Sequence, residues 1–251
     1  MSEQYAHPPL GVDDFTKRDL EVMSSAENYR RWILNTLIQP HLGARVLEVG
    51  SGIGNYSQGI LSHPKVQSLT CVELDQLCLD ECRLKLKVHG DRKDVTFIQG
   101  DYLSVDLPAS EFDTVVCVNV LEHLRDDQEA ATRSYASLAP GGRFVIYVPA
   151  FEGIAGAIDA RLGHFRRYTK GGASTLLRSV GFEISTMRYW NAAGFLGWFV
   201  RFRVLGRRDQ NPRVIVLFDR IVFPVQAWVE TRIPWQPFGQ SLFIVAKKPR
   251  P

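Results

Sequence analysis

Residues Val46 to Tyr56 read VLEVGSGIGNY, and this stretch decides the fold that the sequence predicts. An apolar run typical of a buried strand leads directly into a loop with glycine at Gly50, Gly52 and Gly54. Glycines allow a positive φ and let backbone N–H groups approach a ligand closely. The stretch therefore predicts a strand, a ligand-binding turn and the start of a helix.

Two details separate this loop from the dinucleotide-binding fingerprint. That fingerprint is Gly-x-Gly-x-x-Gly, whereas here the third glycine comes one position early, at Gly54, and Asn55 takes the expected place. Glu48 stands at the mouth of the loop, where a carboxylate suits a cationic ligand better than a pyrophosphate. A glycine-rich turn is weak evidence by itself, so the flanking elements must be considered with it.

Short β-type runs alternate with helical patterns around this loop. The alternation predicts a parallel sheet with helices on both faces, which binds ligands at the carboxyl ends of its strands. The predicted helices include Ala26–Ile38, Tyr56–Ser62, Gln76–Lys87 and Asp127–Leu138. The predicted strands are Arg45–Val49, Ser68–Glu73, Val95–Gln99, Thr114–Asn119, Arg143–Val148, Glu183–Tyr189 and Ser241–Ala246.

Length and composition restrict the class of protein. A chain of 251 residues fits one large α/β domain, and 45% apolar with 23% charged residues is an ordinary globular composition. Its longest apolar stretches are interrupted by charges and proline, so no bilayer-spanning helix is expected. The first residues do not resemble a secretory signal, and four cysteines do not make a disulfide framework. We therefore expect reduced thiols and a cytoplasmic protein.

The net charge of +3 conceals an asymmetry along the chain. Residues 1–160 carry 14 basic and 23 acidic side chains, whereas residues 161–213 carry 11 basic and 2 acidic ones. A basic surplus favours an anionic substrate, nucleic acid or a lipid surface. A solvated basic face explains the same numbers equally well.

The order of motifs resembles that of class I S-adenosylmethionine (SAM)-dependent methyltransferases. The likeness starts at the glycine loop and continues through the ends of four further strands. Beyond residue 150, the segments GHFRRYT (163–169) and GFE (181–183) resemble some bacterial small-molecule methyltransferases. The earlier matching segments are VELD (72–75), GDY (100–102), FDTVV (112–116), VLEH (120–123) and LAPGG (138–142).

The resemblance implies a Rossmann-like, seven-stranded, mostly parallel sheet with helices on both faces and an antiparallel last strand. We expect one domain over residues 1–251, with a core of about 26–190 and 239–248. About 50 residues separate the sixth and seventh strands, far more than a hairpin needs. Residues 191–238 are predicted to form two helices that cap the acceptor pocket. Extra core, a dimer face and a membrane-surface segment are the alternatives.

The resemblance also implies how SAM is held. Gly50 and Gly52 would approach the methionine moiety, and Tyr29 would close its end, although ordinary helix packing explains this tyrosine equally well. Glu73 comes 25 residues after Glu48 and ends the second strand. Its carboxylate would accept both ribose hydroxyls.

The third strand carries the residues implied for adenine. Asp101 would bond the adenine amino group, with Tyr102 or Leu103 flanking the ring, while the alternative is an aspartate that caps a helix. The predicted cofactor-binding residues are Tyr29, Glu48, Gly50, Gly52, Gly54, Glu73, Leu74, Asp101, Tyr102 and Asn119.

Candidate catalytic residues follow the fourth and fifth strands. Methyl transfer is an in-line displacement that leaves S-adenosylhomocysteine, and a base is needed only where the nucleophile must lose a proton. His123 is the first candidate for a base or a substrate-orienting residue, unless Glu122 and His123 merely start a helix. His164 is the second, with Tyr168 nearby. A structural corner of stacked arginine and aromatic groups is its alternative.

Metal and nucleic acid are not expected. Cys78 and Cys82 share a predicted helix near Cys71, but no histidine pair completes a tetrahedral set, so no metal is predicted. The fourth strand ends in Asn-Val-Leu-Glu (119–122) rather than the Asn-Pro-Pro-aromatic motif of amino-directed DNA enzymes. No appended RNA-binding module is visible.

The leading interpretation is methyl transfer from SAM to a small, hydrophobic or amphipathic acceptor. The aromatic insertion with Arg201, Arg203, Arg207 and Arg208 suits an apolar acceptor that carries an anionic or polar group. A homodimer and a peripheral membrane contact stay open. Two rival classes remain: a SAM-fold protein with a non-methylating activity in the same pocket, and a nicotinamide-dependent oxidoreductase, which the loop spacing and Glu48 disfavour.

Overall fold

The structure is a computed structural model that describes residues 20–87, 93–204, 206, 212–233 and 236–250. Seven strands of these residues form one sheet. They are β1 (Arg45–Val49), β2 (Ser68–Glu73), β3 (Asp94–Gln99), β4 (Phe112–Val118), β5 (Leu138–Pro149), β6 (Glu183–Trp190) and β7 (Ser241–Lys247). Their order is β3-β2-β1-β4-β5-β7-β6. The first five strands are parallel, and β7 runs antiparallel to both β5 and β6, which confirms the predicted fold class.

Helices cover both faces of this sheet. Side chains alternate along a strand, and those of β1 enter two separate buried clusters. Leu47 and Val49 pack with residues 130–131 and 173–177, whereas Val46 packs with residues 33–38 and 79–86. The helices are α1 (Glu27–Trp32), α2 (Ser57–Leu61), α3 (Gln76–Lys87), α4 (Asp127–Ser137), α5 (Ala157–Arg161), α6 (Lys170–Val180), α7 (Ala192–Trp198), α8 (Pro212–Leu217) and α9 (Phe223–Arg232).

The N-terminal side of the domain is more ordered than its sequence pattern indicates. Residues 20–24 are helical, although no apolar period predicts them, and the Leu20 carbonyl accepts a hydrogen bond of 3.3 Å from the Asn55 side chain. This places Leu20 beside the glycine loop. The predicted helix Ala26–Ile38 is present, but its second half, Ile33–Ile38, is a π-helix. Residues 1–19 lie outside the described part.

The insertion between β6 and β7 starts and ends at the carboxyl edge of the sheet. Trp190 pairs with Ser241, and Ser241 also pairs with Pro149 at the end of β5. Two helical stretches, 192–204 and 212–232, confirm the predicted helical insertion. The side chain of Arg203, and all of Arg207 and Arg208, lie outside the described residues.

Pro224 lies within the second stretch but does not break it, although a proline at this place in the sequence indicates an interruption. Phe218–Val222 is a π-helix, and Pro224 occupies the first turn of α9 directly after it. A first-turn residue needs no intrahelical partner for its N–H, so proline is tolerated there. The two segments therefore run on as one helical stretch.

Two buried carboxylates fasten the insertion to the core. Glu230 accepts hydrogen bonds from the backbone N–H groups of Asn191 (3.0 Å) and Ala192 (2.7 Å). Asp219 accepts from the N–H groups of Asn28 (3.0 Å) and Tyr29 (2.8 Å) at the start of α1. Both acids thus satisfy helix-start donors that would otherwise have no partner.

Candidate active site

The glycine loop has the backbone that its composition predicts. Gly50, Gly52 and Gly54 have φ values of +67°, +52° and +81°. A Cβ atom added to Gly50 would lie 2.4 Å from Cγ2 of Val120, so the loop after β4 packs directly against this glycine. Only glycine combines that φ with that close approach.

Glu73 meets the same loop. Its carboxylate accepts a hydrogen bond of 2.7 Å from the Gly52 N–H and another of 3.0 Å from the Asp75 N–H. Burial raises the pKa of Glu73, and the backbone hydrogen bonds oppose that rise. The structure thus joins the strand-end acid and the glycine loop, which the sequence treated as two separate cofactor elements.

The environment of Glu48 differs from the one that the sequence predicted. Its side chain is buried, with Cys71 Sγ 3.9 Å from Oε2 and the Ser57 hydroxyl within hydrogen-bonding reach. Burial raises the pKa of Glu48 to about 8, so the group is largely protonated at neutral pH. Its contacts are with protein side chains. They do not support the expectation of an ionised carboxylate for a cationic ligand, which stays a prediction.

Tyr102 lies in the core. Its ring is 5% exposed, and its hydroxyl is 2.8 Å from Ser134 Oγ. Leu103 is its half-buried neighbour, and which of the two flanks the adenine ring stays a prediction. Asp101 Oδ1 accepts a hydrogen bond of 2.9 Å from the Leu103 N–H, so the aspartate also orders its own loop.

The other predicted cofactor residues border the same edge. Asn119 follows β4 with a φ of +52° and an exposed side chain, and Leu74 follows β2 and is exposed. Tyr29 is half-buried: its hydroxyl is 2.9 Å from that of Tyr147, and its ring contacts Phe223 at 5.2 Å between centroids. Its place against the methionine end stays a prediction.

The two candidate catalytic histidines are neighbours. The loops after β4 and β5 meet through a 2.8 Å hydrogen bond from the Phe165 N–H to the Glu122 carbonyl. The rings of His123 and His164 pack edge-to-face with centroids 4.7 Å apart, and both are half-buried. Burial and the neighbouring His164 lower the pKa of His123 to about 3.

Asp159 orients the second histidine. Its Oδ1 lies 2.9 Å from His164 Nδ1 and 2.7 Å from Arg167 Nε. Burial acts to raise the pKa of Asp159, but these two partners lower it to about 2. Arg167 also stacks over Trp198 of α7 at 5.1 Å. The structural corner of arginine and aromatic groups is therefore present. It is joined to His164 through Asp159, so it holds this histidine in place and is compatible with a catalytic role for it.

Glu122 is a buried acid beside the two candidate histidines that the sequence did not single out. It is 1% exposed, and neither of its carboxylate oxygens has a hydrogen-bond partner. Burial raises its pKa to about 7. The sequence treated it as a helix-start acid, because nothing in the pattern VLEH distinguishes an inward carboxylate from an outward one.

Tyr168 does not have a free hydroxyl. It is 7% exposed and donates a 2.9 Å hydrogen bond to Asp127 Oδ2, with the Leu121 carbonyl at 3.3 Å. Burial and the charge of Asp127 raise the pKa of Tyr168 far above its ordinary range. These contacts join the loop after β5 to α4 and engage the hydroxyl, and a catalytic role for Tyr168 stays a prediction.

The residues at this edge fit SAM. The closely packed glycine turn lets backbone approach a ligand, and the strand-end carboxylate lies against it at Gly52. Together, the strand order and this loop define a Rossmann-like protein that binds its ligand at the carboxyl ends of the parallel strands.

Comparison with known proteins gives the family. The profile of the family described as a methyltransferase domain matches residues 46–142. The chain is 29% identical over 102 residues to 2-methyl-6-phytyl-1,4-hydroquinone methyltransferase 1, chloroplastic, of Oryza sativa subsp. japonica, spanning 41% of this chain and 30% of the relative. It is 32% identical over 124 residues to the uncharacterized methyltransferase YdaC of Bacillus subtilis, spanning 49% of this chain and 66% of the relative.

Solved structures share the fold. A chain of the complex between the Haloferax volcanii Trm112 methyltransferase activator and a methyltransferase superposes with a TM-score of 0.65 at 15% identity, covering 95% of this chain and 96% of that one. Phosphoethanolamine N-methyltransferase 2 of Haemonchus contortus, in complex with SAM, superposes with a TM-score of 0.63 at 18% identity, covering 96% and 60%. Residues 46–142 of this chain therefore carry a SAM-dependent methyltransferase domain of class I, a family whose cofactor is SAM.

Proposed function

We propose that this protein transfers the methyl group of SAM to a small, hydrophobic or amphipathic acceptor. The observation that carries the proposal is one edge of the sheet, where the Gly52–Glu73 contact and the His123–His164 pair follow parallel strands. Relatives named as hydroquinone, ubiquinone-biosynthesis and sterol methyltransferases support an apolar acceptor. Their alignments cover 30%, 42% and 52% of those proteins, so they support the class of acceptor and not its identity.

In this proposal each strand end has one task. SAM supplies a methyl group activated by its sulfonium. Gly50 and Gly52 admit the methionine part, Glu73 holds the ribose hydroxyls and Asp101 holds the adenine. His123 and His164 contact the acceptor near the transferred methyl and hold its nucleophile in line. Alignment of this kind is worth about 7–11 kcal/mol of the activation barrier.

The insertion supplies apolar walls for the acceptor. Phe195 of α7 contacts Phe151, which follows β5, at 5.8 Å between centroids. It also contacts Phe238, just before β7, at 5.3 Å. These rings lie where the insertion meets the loop that carries His164. We therefore propose that α7 forms one side of the acceptor pocket. This is the position that the predicted cap over that pocket would occupy.

The outer surface of the insertion has a different composition. Val214, Leu217, Ile221, Val225 and Trp228 recur every three or four residues along 212–232, and their side chains are 46% to 65% exposed. One stripe of a helical stretch therefore presents large apolar groups to the outside. Exposed stripes of this kind mark interaction surfaces.

Charge indicates what this stripe contacts. Asp219 and Glu230 are the acidic residues of the described insertion, and both are buried, whereas Arg213, Arg220 and Arg232 are exposed. Apolar groups flanked by arginines suit a membrane surface with anionic lipids. We propose a peripheral contact there, from which an amphipathic acceptor reaches the site. Within the described residues, no helix is long and apolar enough to cross a bilayer.

Vesicle co-sedimentation tests this contact. Wild type should pellet with phosphatidylglycerol-containing vesicles and not with phosphatidylcholine alone, and Val225→Glu with Trp228→Glu should abolish pelleting. Leu84→Glu, an equally exposed apolar position on α3, is the matched control. Absence of pelleting by wild type would contradict the contact. A dimer in solution that the same double variant dissociates would assign the stripe to a second copy of the chain.

Calorimetry followed by a transfer assay tests the activity itself. SAM should bind and NAD should not, and labelled methyl from SAM should appear in an amphipathic quinol or phenol acceptor. Binding of SAM without transfer to any acceptor would favour a non-methylating activity in the same pocket. That rival has specific support, because the [4+2]-cyclase SpnF superposes with a TM-score of 0.60 at 16% identity over 90% of this chain.

A further inference from the structure

We propose that Glu122, His123 and His164 form a binding site for a divalent transition-metal ion. One potential ligand atom from each of these side chains lies within 4.8 Å of the other two. Glu122 comes from the loop after β4 and is adjacent to His123, whereas His164 comes from the loop after β5. The site therefore lies at the carboxyl edge of the sheet, beside the glycine loop.

The Glu122 carboxylate is the strongest argument for an ion. It is 1% exposed, yet neither oxygen has a hydrogen-bond partner. A buried carboxylate without partners is costly, and such groups are normally paired or bound to a metal. The side chains that could bind the same ion are the two imidazoles. Their neutral nitrogens are ligands of the kind that transition metals prefer.

The groups behind the histidines fit a metal site. His164 Nδ1 is hydrogen-bonded to Asp159 at 2.9 Å, which leaves Nε2 as the nitrogen available to an ion. Metal-bound histidines generally use their second nitrogen in this way, with a carboxylate or a carbonyl that fixes the ring.

The donor set indicates the class of ion. Two imidazoles and one carboxylate suit Zn²⁺, Fe²⁺ or Mn²⁺ and leave coordination positions open. Ligand atoms about 2.0–2.1 Å from an ion lie roughly 3.0–3.4 Å apart. All three ligand atoms lie within 4.8 Å of one another, so binding an ion requires them to approach by no more than about 1.8 Å. The sequence predicted no metal because it considered histidines only as partners of Cys71, Cys78 and Cys82.

The ion has a role that rests on the proposed function. His123 and His164 are half-buried, so open positions would face the acceptor. A hydroxyl oxygen of the acceptor bound there loses its proton to water more readily. That oxygen then forms the bond to the methyl carbon while the carbon–sulfur bond breaks and a neutral thioether leaves. The inference thus favours a phenol, enol or similar hydroxyl as the nucleophile.

Calorimetry on the full chain, stripped with a chelator, tests the site without any acceptor. Zn²⁺ and Mn²⁺ are the probes, and Co²⁺ absorbance reports the ligand set. We expect one ion per chain and at least a 100-fold loss of affinity in Glu122→Gln and in His164→Ala. Asp159→Asn, a positioning variant, should lose about 10- to 100-fold. His63→Ala, a histidine on another part of the chain, should bind like wild type. Circular dichroism and unchanged SAM affinity establish that the variants fold.

The outcomes separate this inference from the proposed function. The metal site would be overturned if the wild-type protein bound no ion, or if Glu122→Gln and His164→Ala bound the ion as tightly as the wild type. If SAM still binds and methyl is still transferred in that case, the histidines act on the acceptor directly. An ion that binds as expected, with no methyl transfer to any acceptor, would keep the site and overturn the proposed function.

Discussion

The Glu73 carboxylate at the end of β2 accepts a 2.7 Å hydrogen bond from the Gly52 N–H in the loop after β1. This contact joins two strand ends that are 21 residues apart in the chain. It fixes the carboxylate against the part of the loop whose backbone faces the cofactor in our proposal. A change at either residue therefore alters the same ligand surface.

Glu73→Ala should weaken SAM binding by roughly 2–4 kcal/mol, or about 30- to 1000-fold in Kd, because the ribose hydroxyls lose their buried acceptor. Calorimetry gives the affinity directly. Glu81→Ala is the control, since Glu81 forms only a surface pair with Lys85 on α3. Unchanged affinity in Glu73→Ala would remove this residue from the cofactor site.

Gly50→Ala should lose SAM binding and cost the fold about 1–3 kcal/mol, since the new Cβ meets Val120 and the backbone has a positive φ. Gly171→Ala is the matched control because a Cβ at that helical position has nothing within 4 Å. Its expected effect is neutral or slightly stabilising. Equal melting temperatures and SAM affinities for the two variants would contradict the close packing at Gly50.

Glu48 should make the cofactor-free protein less stable as pH rises. Burial raises its pKa from 4.5 to about 8, so between these values the folded protein holds a proton that the unfolded chain releases. Unfolding releases that proton, and the free energy of unfolding therefore falls as the pH rises through this window. Urea unfolding at several pH values measures the slope. Glu48→Gln should flatten it, and an identical slope in the variant would assign the pH dependence elsewhere.

Glu230→Ala should loosen the insertion, because two buried N–H groups, at Asn191 and Ala192, lose their acceptor. A loss of about 2–5 kcal/mol is expected, with faster proteolytic cleavage within residues 192–232. Glu230→Gln should recover part of the loss, since one oxygen remains. Glu183→Ala, at an exposed position on β6, is the control. Resistance to protease equal to wild type would contradict the fastening role.

His164→Ala should lower kcat by about 10²–10⁴ while SAM affinity is preserved, whether the histidine acts on the acceptor or through an ion. A transfer assay with labelled SAM measures kcat once an acceptor is known, and His63→Ala serves as the control. Near-normal turnover in both His123→Ala and His164→Ala would show that neither histidine acts as a base and that catalysis rests on positioning of the acceptor by the pocket. It would point to a carbon or amine nucleophile.

The sheet and the glycine loop could be predicted because local chemistry determines them. Apolar runs before Gly50 and Glu73 define buried strands, and positive φ at Gly50 requires glycine whatever packs around it. The directions of buried side chains could not be predicted. Tyr102 follows β3 and Glu48 lies within β1, as expected, but their polar atoms face Ser134 and Ser57 from distant elements. Glu122 was missed for the same reason.

The insertion departs and returns through adjacent residues of two antiparallel strands, Trp190 and Ser241. Its two ends are thus already as close as those of an ordinary hairpin, whatever the length between them. We therefore expect that the segment between them can be shortened or exchanged without a change in the register of β6 and β7. The insertion is in this sense a separable part of the domain, provided that a replacement again supplies acceptors for the N–H groups now bonded to Asp219 and Glu230. Grafting insertions between homologous enzymes at this pair offers a route to new acceptor specificity.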